Sequence, residues 1–184
     1  MTKRAERLTA ENVDDFFKLH SGECGWCYCT AWWVPTWDGW TDRTDEQNRQ
    51  FRAELFKRRE YDGYLLYVDE KPVGWCQVGK RDRLAKLVRQ YKLQPNAAIW
   101  AITCFMIRPE YRKKGLAGYI VKVILEDLRK QGIKLVQSFP QRTKSREDGE
   151  HWRGPENIFL KAGFKIERDD KNHPVLSINL SQNT

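Results

Sequence analysis

A short basic segment with one glycine, Arg112–Ala117, carries the clearest chemical signal in this sequence. It reads Arg-Lys-Lys-Gly-Leu-Ala and fits the pattern Arg/Gln-x-x-Gly-x-Gly/Ala. An apolar, β-branched run (Ile99–Ile107) precedes it, and an amphipathic stretch from Leu116 to about Gln131 follows it. A strand, a basic glycine turn and a helix together present backbone N–H groups and a helix N-terminus to an anion. We therefore predict a phosphate or pyrophosphate site here, with a basic helix start that binds no ligand as the alternative.

Each residue type in this turn has a physical use in binding an anion. Gly115 allows the backbone to turn tightly, and the small Ala117 lets a ligand approach the start of the helix. Arg112, Lys113 and Lys114 add positive charge next to the positive end of the helix dipole.

A second concentration of reactive side chains is the segment Gly22–Trp40, with three cysteines and five tryptophans. The cysteines are spaced Cys-x-x-Cys-x-Cys, at Cys24, Cys27 and Cys29. They could bind zinc with His20 or Cys76 as the fourth ligand, but structural zinc sites usually show two separated cysteine pairs. A reduced, packed aromatic wall is the favoured interpretation, and no metal is expected. A redox-sensitive or substrate-binding thiol is the third interpretation.

The elements that position these residues follow from hydrophobic period and turn residues. A helix capped by Thr9 should run to about Leu19, and Thr44-Asp-Glu-Gln47 is a capping box for a helix from Asp45 to about Arg59. The other predicted elements are a hairpin of Gly63–Val68 and Val73–Val78, a helix over Leu84–Tyr91, the strand Ile99–Ile107, the helix Leu116–Gln131, a strand over Ile133–Phe139, a helix over Pro155–Ala162, and strands near Phe164–Arg168 and Val175–Leu180. This order predicts an α/β domain with a mixed sheet flanked by helices.

A second motif, Phe159-Leu-Lys-Ala-Gly163-Phe164, leads from a helix end through glycine into a strand. With the basic turn, in this order and separation, it makes the chain resemble the GCN5-related N-acetyltransferase (GNAT) superfamily over about Tyr61–Leu180. The resemblance implies a mixed, mostly antiparallel twisted sheet flanked by helices, in which the central strands over Ile99–Ile107 and Ile133–Phe139 splay apart. It also implies one GNAT-like domain over 1–184, with a helical acceptor-side region (1–60) and a coenzyme-binding core (61–180).

The resemblance further implies an acetyl-CoA site and transfer of an acetyl group to an amine. The end of the strand would bond the pantetheine arm through its backbone, and the basic turn would hold the pyrophosphate. The implied coenzyme-binding residues are Phe105, Met106, Ile107, Arg112, Lys113, Lys114, Gly115, Leu116, Ala117, Gly118, Asn157 and Lys161.

The catalytic groups of many family members are missing from this chain. The position of the usual tyrosine acid, four residues before the glycine of the Gly-Phe pair, is Phe159, and the stretch that carries a glutamate base in some members is Ala101-Ile-Thr103. We therefore expect direct transfer that relies mainly on positioning, with a backbone N–H of Phe105–Ile107 polarising the carbonyl. The weak candidates for proton transfer are Cys104, Ser138 and Tyr119. A catalytically weak acyl-CoA-binding sensor or partner-binding domain is the alternative.

The acceptor side is the least specified part of the sequence. In the GNAT fold the segment between the first two helices usually borders the acceptor pocket, and the long polar loop Gln141–Gly154 would lie on the same side. The implied substrate-binding residues are Glu23, Cys24, Trp26, Cys27, Trp32, Trp33 and His151. Indole rings suit an apolar, aromatic or cationic group, so a small-molecule or peptide amine is expected.

Composition argues against several other classes of protein. The net charge is +8, but 25 acidic residues are mixed among the basic ones, so no nucleic-acid partner is expected, and a basic nucleic-acid-binding protein is the second alternative. No apolar run approaches the length of about 18 residues that a membrane span needs. The polar N-terminus lacks the apolar part of a secretory signal, which favours the cytoplasm. Five cysteines, an odd number, argue against a disulfide framework. Exposed edge strands make a homodimer possible.

Overall fold

Seven strands form one open sheet in the computed structural model, which describes residues 1–21, 25–142 and 152–181. Their order across the sheet is β1-β2-β3-β4-β5-β7-β6. The strands are β1 (Lys3–Arg7), β2 (Tyr64–Val68), β3 (Lys71–Lys80), β4 (Ile99–Ile107), β5 (Leu135–Ser138), β6 (Lys165–Arg168) and β7 (Val175–Asn179). Only the β4–β5 pair is parallel, and the other five pairs are antiparallel. The predicted mixed, mostly antiparallel α/β fold is confirmed.

Helices cover both faces of this sheet. They are α1 (Val13–His20), α2 (Asp45–Lys57), α3 (Ala85–Gln90), α4 (Leu116–Lys130) and α5 (Glu156–Lys161). The apolar side of α4 packs on one face together with Phe159 of α5, whereas α1 and α2 pack on the other face around Trp75. No helix in the described ranges is long and apolar enough to cross a membrane.

The capping box at the start of α2 forms as predicted. The Gln47 N–H donates to Thr44 Oγ1 at 3.2 Å, and the Thr44 N–H donates to Gln47 Oε1 at 3.0 Å. The two side chains therefore satisfy each other's backbone donors. This fixes the start of the helix that carries Arg52.

The prediction that Thr9 caps α1 is wrong. The helix begins at Val13, directly after Asn12, and the Thr9 N–H donates to Asn12 Oδ1 at 2.8 Å. Residues ahead of it form β1, an unpredicted edge strand that pairs with β2 so that Ala5 lies opposite Leu66. Its sequence, Lys-Arg-Ala-Glu-Arg, is charged like many edge strands, and this composition hid the strand. The first 60 residues are therefore not only helical.

The central strands diverge, as the resemblance implies. β5 pairs with β4 only from Ile99 to Ile102, whereas β4 continues to Ile107 along β3. The β3–β4 register passes from Val78↔Ile102 to Gln77↔Cys104, so Thr103 is one extra residue on β4. Such a β-bulge bends and re-aims a strand. The bulge thus lies where β4 loses β5 as a neighbour.

Candidate active site at the divergence of β4 and β5

A cavity of about 690 Å³ opens beyond the bulge. Its walls are the last residues of β4, the basic turn with the start of α4, the start of α5, and the segment after α1. Ten of the residues implied to bind coenzyme line it: Phe105, Met106, Ile107, Arg112, Lys113, Gly115, Leu116, Ala117, Gly118 and Asn157. The fold thus brings together motifs that lie far apart in the sequence.

Two of the implied coenzyme residues lie outside the lining of this cavity. Lys161 borders a separate groove between α4 and α5, which it shares with Lys122. The Lys114 ammonium lies 5.3 Å from the centre of the Tyr111 ring. Tyr111 itself lines the cavity, and the motif gave no reason to expect it there.

The basic turn has the geometry of an anion cradle. Gly115 precedes α4 with φ +73°, and Lys113 also has a positive φ, +59°. Alternating left- and right-handed residues aim successive N–H groups into one concavity. The first N–H groups of a helix lack intrahelical acceptors, and the Tyr119 N–H is the one that bonds back to the Gly115 carbonyl, at 3.1 Å. The N–H groups of Leu116 to Gly118 are therefore available to an anion.

The backbone of β4 alternates between its neighbour and the opening. The Arg108 N–H donates to the Val73 carbonyl of β3 at 2.9 Å, whereas the Phe105 N–H donates to the Trp152 carbonyl at 2.5 Å. Because successive residues of a strand face opposite sides, the N–H and C=O groups of Ile107 point to the opening, and those of Met106 point to β3. Arg112 Nε already donates to the Ile107 carbonyl at 2.9 Å. A ligand reaches the Phe105 N–H only when Trp152 moves.

The structure separates the three candidates for proton transfer. Cys104 is buried and lines the cavity. The Tyr119 hydroxyl donates to the Lys3 carbonyl of β1 at 3.1 Å, and Tyr119 is not part of the lining. Ser138 ends β5; its buried hydroxyl has no hydrogen-bond partner among the described residues, and it too is outside the lining. Of these three candidates, Cys104 is therefore the one that borders the cavity.

Phe159, at the position of the usual acid, is a core residue. It is fully buried, and its ring centre lies 5.7 Å from that of Phe105 and 5.3 Å from that of Phe164, both in edge contacts. Gly154, with φ +81°, passes so close that a Cβ there would lie 2.9 Å from the Phe105 ring. Neighbouring side chains and backbone therefore fill the space around the Phe159 ring.

Some of the residues predicted for the acceptor side line the cavity, and others do not. Trp26 and Cys27 line the cavity. Trp32 is buried against Trp152, with ring centres 5.8 Å apart, and Trp33 Nε1 donates to Gln77 Oε1 at 3.3 Å. Glu23, Cys24 and His151 lie outside the described residues. Six residues line the cavity although the sequence did not predict them as site residues: His20, Cys29, Tyr111, Trp152, Pro155 and Ile158.

One of the ligands named for a zinc site, Cys76, lies apart from the other cysteines. Cys76 belongs to the core beneath α4, whereas Cys29 and Cys104 belong to the core beneath α1 and α2, on the other face of the sheet. His20 Nδ1 donates to the Phe16 carbonyl at 2.9 Å, and burial lowers the His20 pKa to about 3. Within residues 1–21, 25–142 and 152–181 no three metal-binding side chains gather.

Solved structures with this fold include several acetyltransferases. The PaiA N-acetyltransferase of Thermoplasma acidophilum, solved with coenzyme A, is 14% identical over 97% of this chain and 99% of its own, with a TM-score of 0.57. The ribosomal-protein-S18-alanine N-acetyltransferase of Escherichia coli is 9% identical over 100% and 97%, with a TM-score of 0.55. A putative GNAT acetyltransferase of Desulfovibrio desulfuricans is 11% identical over 97% and 99%, with a TM-score of 0.59. At these identities the likeness concerns the fold.

A family model gives the sequence-level evidence. No curated protein matches the sequence significantly. The model described as the acetyltransferase (GNAT) family matches residues 26–147, which includes the bulged strand, the basic turn and α4. Since this match covers more than half of the chain, the protein belongs to the GNAT acetyltransferase family.

Proposed function

We propose that this protein is an N-acetyltransferase that moves an acetyl group from acetyl-CoA to an amine in a ternary complex. The observation that carries the proposal is the single cavity wall made by the opened edge of β4 and the N–H cradle at the start of α4. An extended amide chain suits the strand edge, and a pyrophosphate suits the cradle. The whole chain then works as one domain.

Positive charge around the cradle supports the donor assignment. Arg112 and Lys113 line the cavity beside the N-terminus of the fifteen-residue α4, and no carboxylate belongs to the described lining. Helix dipole and side-chain cations therefore act in the same direction on an anion. A diphosphate would be held by charge-assisted hydrogen bonds, which are stronger than neutral ones.

The opposite wall indicates the kind of acceptor. Trp26 and Trp152 are its aromatic members, and the buried His20 and Cys29 and the half-buried Cys27 also line the cavity. Burial keeps His20 neutral and raises the Cys27 pKa to about 11, so neither carries charge near neutral pH. An amine with an apolar or aromatic neighbouring group fits such a wall, and it must enter the reaction in its uncharged form.

The test combines binding with turnover. Calorimetry should show saturable binding of acetyl-CoA. Release of free coenzyme thiol should then depend on an amine from a panel of alkylamines, arylamines, peptide N-termini and lysine peptides. The N-acetylated form of each amine is the matched control, because it keeps the shape and lacks the nucleophile. Binding without amine-dependent release would support the sensor alternative, and absence of binding would refute the proposal.

A further inference from the structure

The opened edge of β4 is occupied by a segment of the chain itself. This segment, which we call the strap, is Trp152–Gly154, just ahead of α5. The Trp152 carbonyl accepts the Phe105 N–H at 2.5 Å, and in the described part of the chain no other backbone hydrogen bond joins the strap to β4. An opened strand edge offers its backbone groups to an extended partner. Here the strap is that partner.

The strap lies directly against the rings beside β4. Gly154 has φ +81°, and a Cβ there would lie 2.9 Å from the Phe105 ring and 3.2 Å from the Phe159 ring. These distances are shorter than ordinary contacts between carbon atoms, so only the bare backbone of glycine fits. The strap thus fills the space next to Phe105, and an extended pantetheine arm cannot use the same part of the edge at the same time.

A few side-chain contacts hold the strap in this position. The Trp152 indole packs on Trp32, with ring centres 5.8 Å apart. Arg153 Nη1 donates to the Tyr91 hydroxyl at 2.6 Å, and Arg153 Nε donates to Gln141 Oε1 at 3.4 Å. Tyr91 is buried, whereas Trp152 and Arg153 are half-buried. The strap is therefore anchored by contacts that single substitutions can remove.

The other end of the cavity is open. The N–H groups of Leu116 to Gly118 donate to no acceptor among the described residues, and a Cβ on Gly115 would meet no atom within 4 Å. A pyrophosphate can therefore enter the cradle while the strap stays in place. The pantetheine arm, which extends from the pyrophosphate along β4, is the part of the coenzyme that meets the strap.

We propose that the strap is an internal competitor of the coenzyme: it closes the β4 edge in the free protein, and the pantetheine arm displaces it on binding. This inference rests on the proposed function and deepens it, because it states what must change in the chain before the thioester reaches the Phe105 N–H. The observed Kd then equals the intrinsic Kd divided by the fraction of molecules with an open strap. A substitution that weakens only the anchors should therefore tighten coenzyme binding.

The first test removes one anchor and keeps the ring that carries it. Tyr91→Phe should lower the Kd for acetyl-CoA about 2- to 10-fold, the change that corresponds to one hydrogen bond. Tyr67→Phe is the matched control and should keep the wild-type Kd. Tyr67 is also buried, its hydroxyl donates to the carboxylate of Asp15 at 2.9 Å, and it lies outside the cavity lining. Unchanged or weaker binding in Tyr91→Phe, measured by calorimetry, would overturn the proposal.

The second test uses a ligand without the arm. Coenzyme A that lacks its pantetheine arm is 3′-phospho-ADP, which should bind the cradle with the same Kd in the wild type and in Tyr91→Phe. Arg153→Met removes both polar anchors, and its gain in acetyl-CoA affinity, taken relative to 3′-phospho-ADP, should be at least as large as that of Tyr91→Phe. An equal gain for both ligands would place the effect at the cradle and refute the strap.

The third test follows the strap directly by fluorine NMR of protein labelled with fluorotryptophan. Trp32 is the reporter, because it is buried, lies outside the cavity lining and packs on Trp152; Trp32→Phe assigns its signal. Acetyl-CoA should shift this signal and 3′-phospho-ADP should not. Trp100, which packs on the core beneath α4, is the control and should stay in place. Bound acetyl-CoA with an unmoved Trp32 signal refutes the strap alone, whereas failure to bind acetyl-CoA refutes the proposed function.

Discussion

Replacing Gly115 by tryptophan tests the coenzyme assignment, because the fold offers a matched control on the same helix. Gly115 lies at the start of α4 with φ +73°, and a Cβ there would meet no atom within 4 Å. Gly132 follows the end of α4 with φ +75° and is equally open. Gly115 lines the cavity and Gly132 does not. The two substitutions therefore share their backbone strain and differ in their distance from the site.

The expected stability changes are small and equal. A side chain in the left-handed region costs roughly 1–2 kcal/mol. In a chain of 184 residues, each kcal/mol lowers Tm by about 2–4 °C. Both Gly115→Trp and Gly132→Trp should therefore melt several degrees below the wild type and remain folded at room temperature.

The expected binding changes differ sharply. An indole at Gly115 would occupy open space at the wall of the cavity, next to the N–H groups of the cradle. A hydrogen bond to a charged group contributes about 1.5–3 kcal/mol, so losing two of them costs about 3–6 kcal/mol. That corresponds to at least about a 100-fold increase in Kd. Gly132→Trp should keep the wild-type Kd.

Calorimetric titration with acetyl-CoA, beside thermal melts of all three proteins, distinguishes the explanations. Wild-type affinity in Gly115→Trp would refute the placement of the pyrophosphate at this turn. Equal loss of binding in Gly132→Trp would show that strain in α4, and not obstruction of the cavity, weakens the coenzyme.

Three further predictions concern two buried rings, those of Phe159 and His20. Phe159→Ala should lower the free energy of unfolding by about 3–5 kcal/mol, measured by denaturant titration, because it empties a packed core position. Phe159→Tyr should not accelerate turnover, since the ring is fully buried in the core; a strong increase in kcat would instead show that the missing tyrosine limits the rate. Burial lowers the His20 pKa from 6.5 to about 3. Between these two pH values the unfolded state therefore binds more protons than the folded state. The free energy of unfolding should then fall as pH decreases from 6.5 to about 3, by up to about 1.4 kcal/mol per pH unit. His20→Gln should flatten that decline in chemical denaturation followed across pH, and an equally steep decline would contradict the linkage.

Local sequence information located most of the elements that build the site. The β4 strand was predicted with its observed bounds, Ile99–Ile107, and α4 begins at the predicted Leu116. The capping box at Thr44 also formed. These features depend on hydrophobic period and on short-range hydrogen bonds, which neighbouring residues specify by themselves. β1 was missed because its stability comes from pairing with β2, some 60 residues away, and not from its own pattern.

The sequence by itself determined the donor side of this protein, because strand, glycine turn and helix start are contiguous in the chain. Only the tertiary structure decided what faces that donor side across the cavity. Trp26 follows α1, Cys104 comes from β4 and Trp152 precedes α5, and no spacing rule relates them. Their meeting at one cavity depends on a bulge at Thr103 and on two helices packed over one face of the sheet. Contacts of this kind are set by how distant elements pack, and the local hydrophobic period does not specify them.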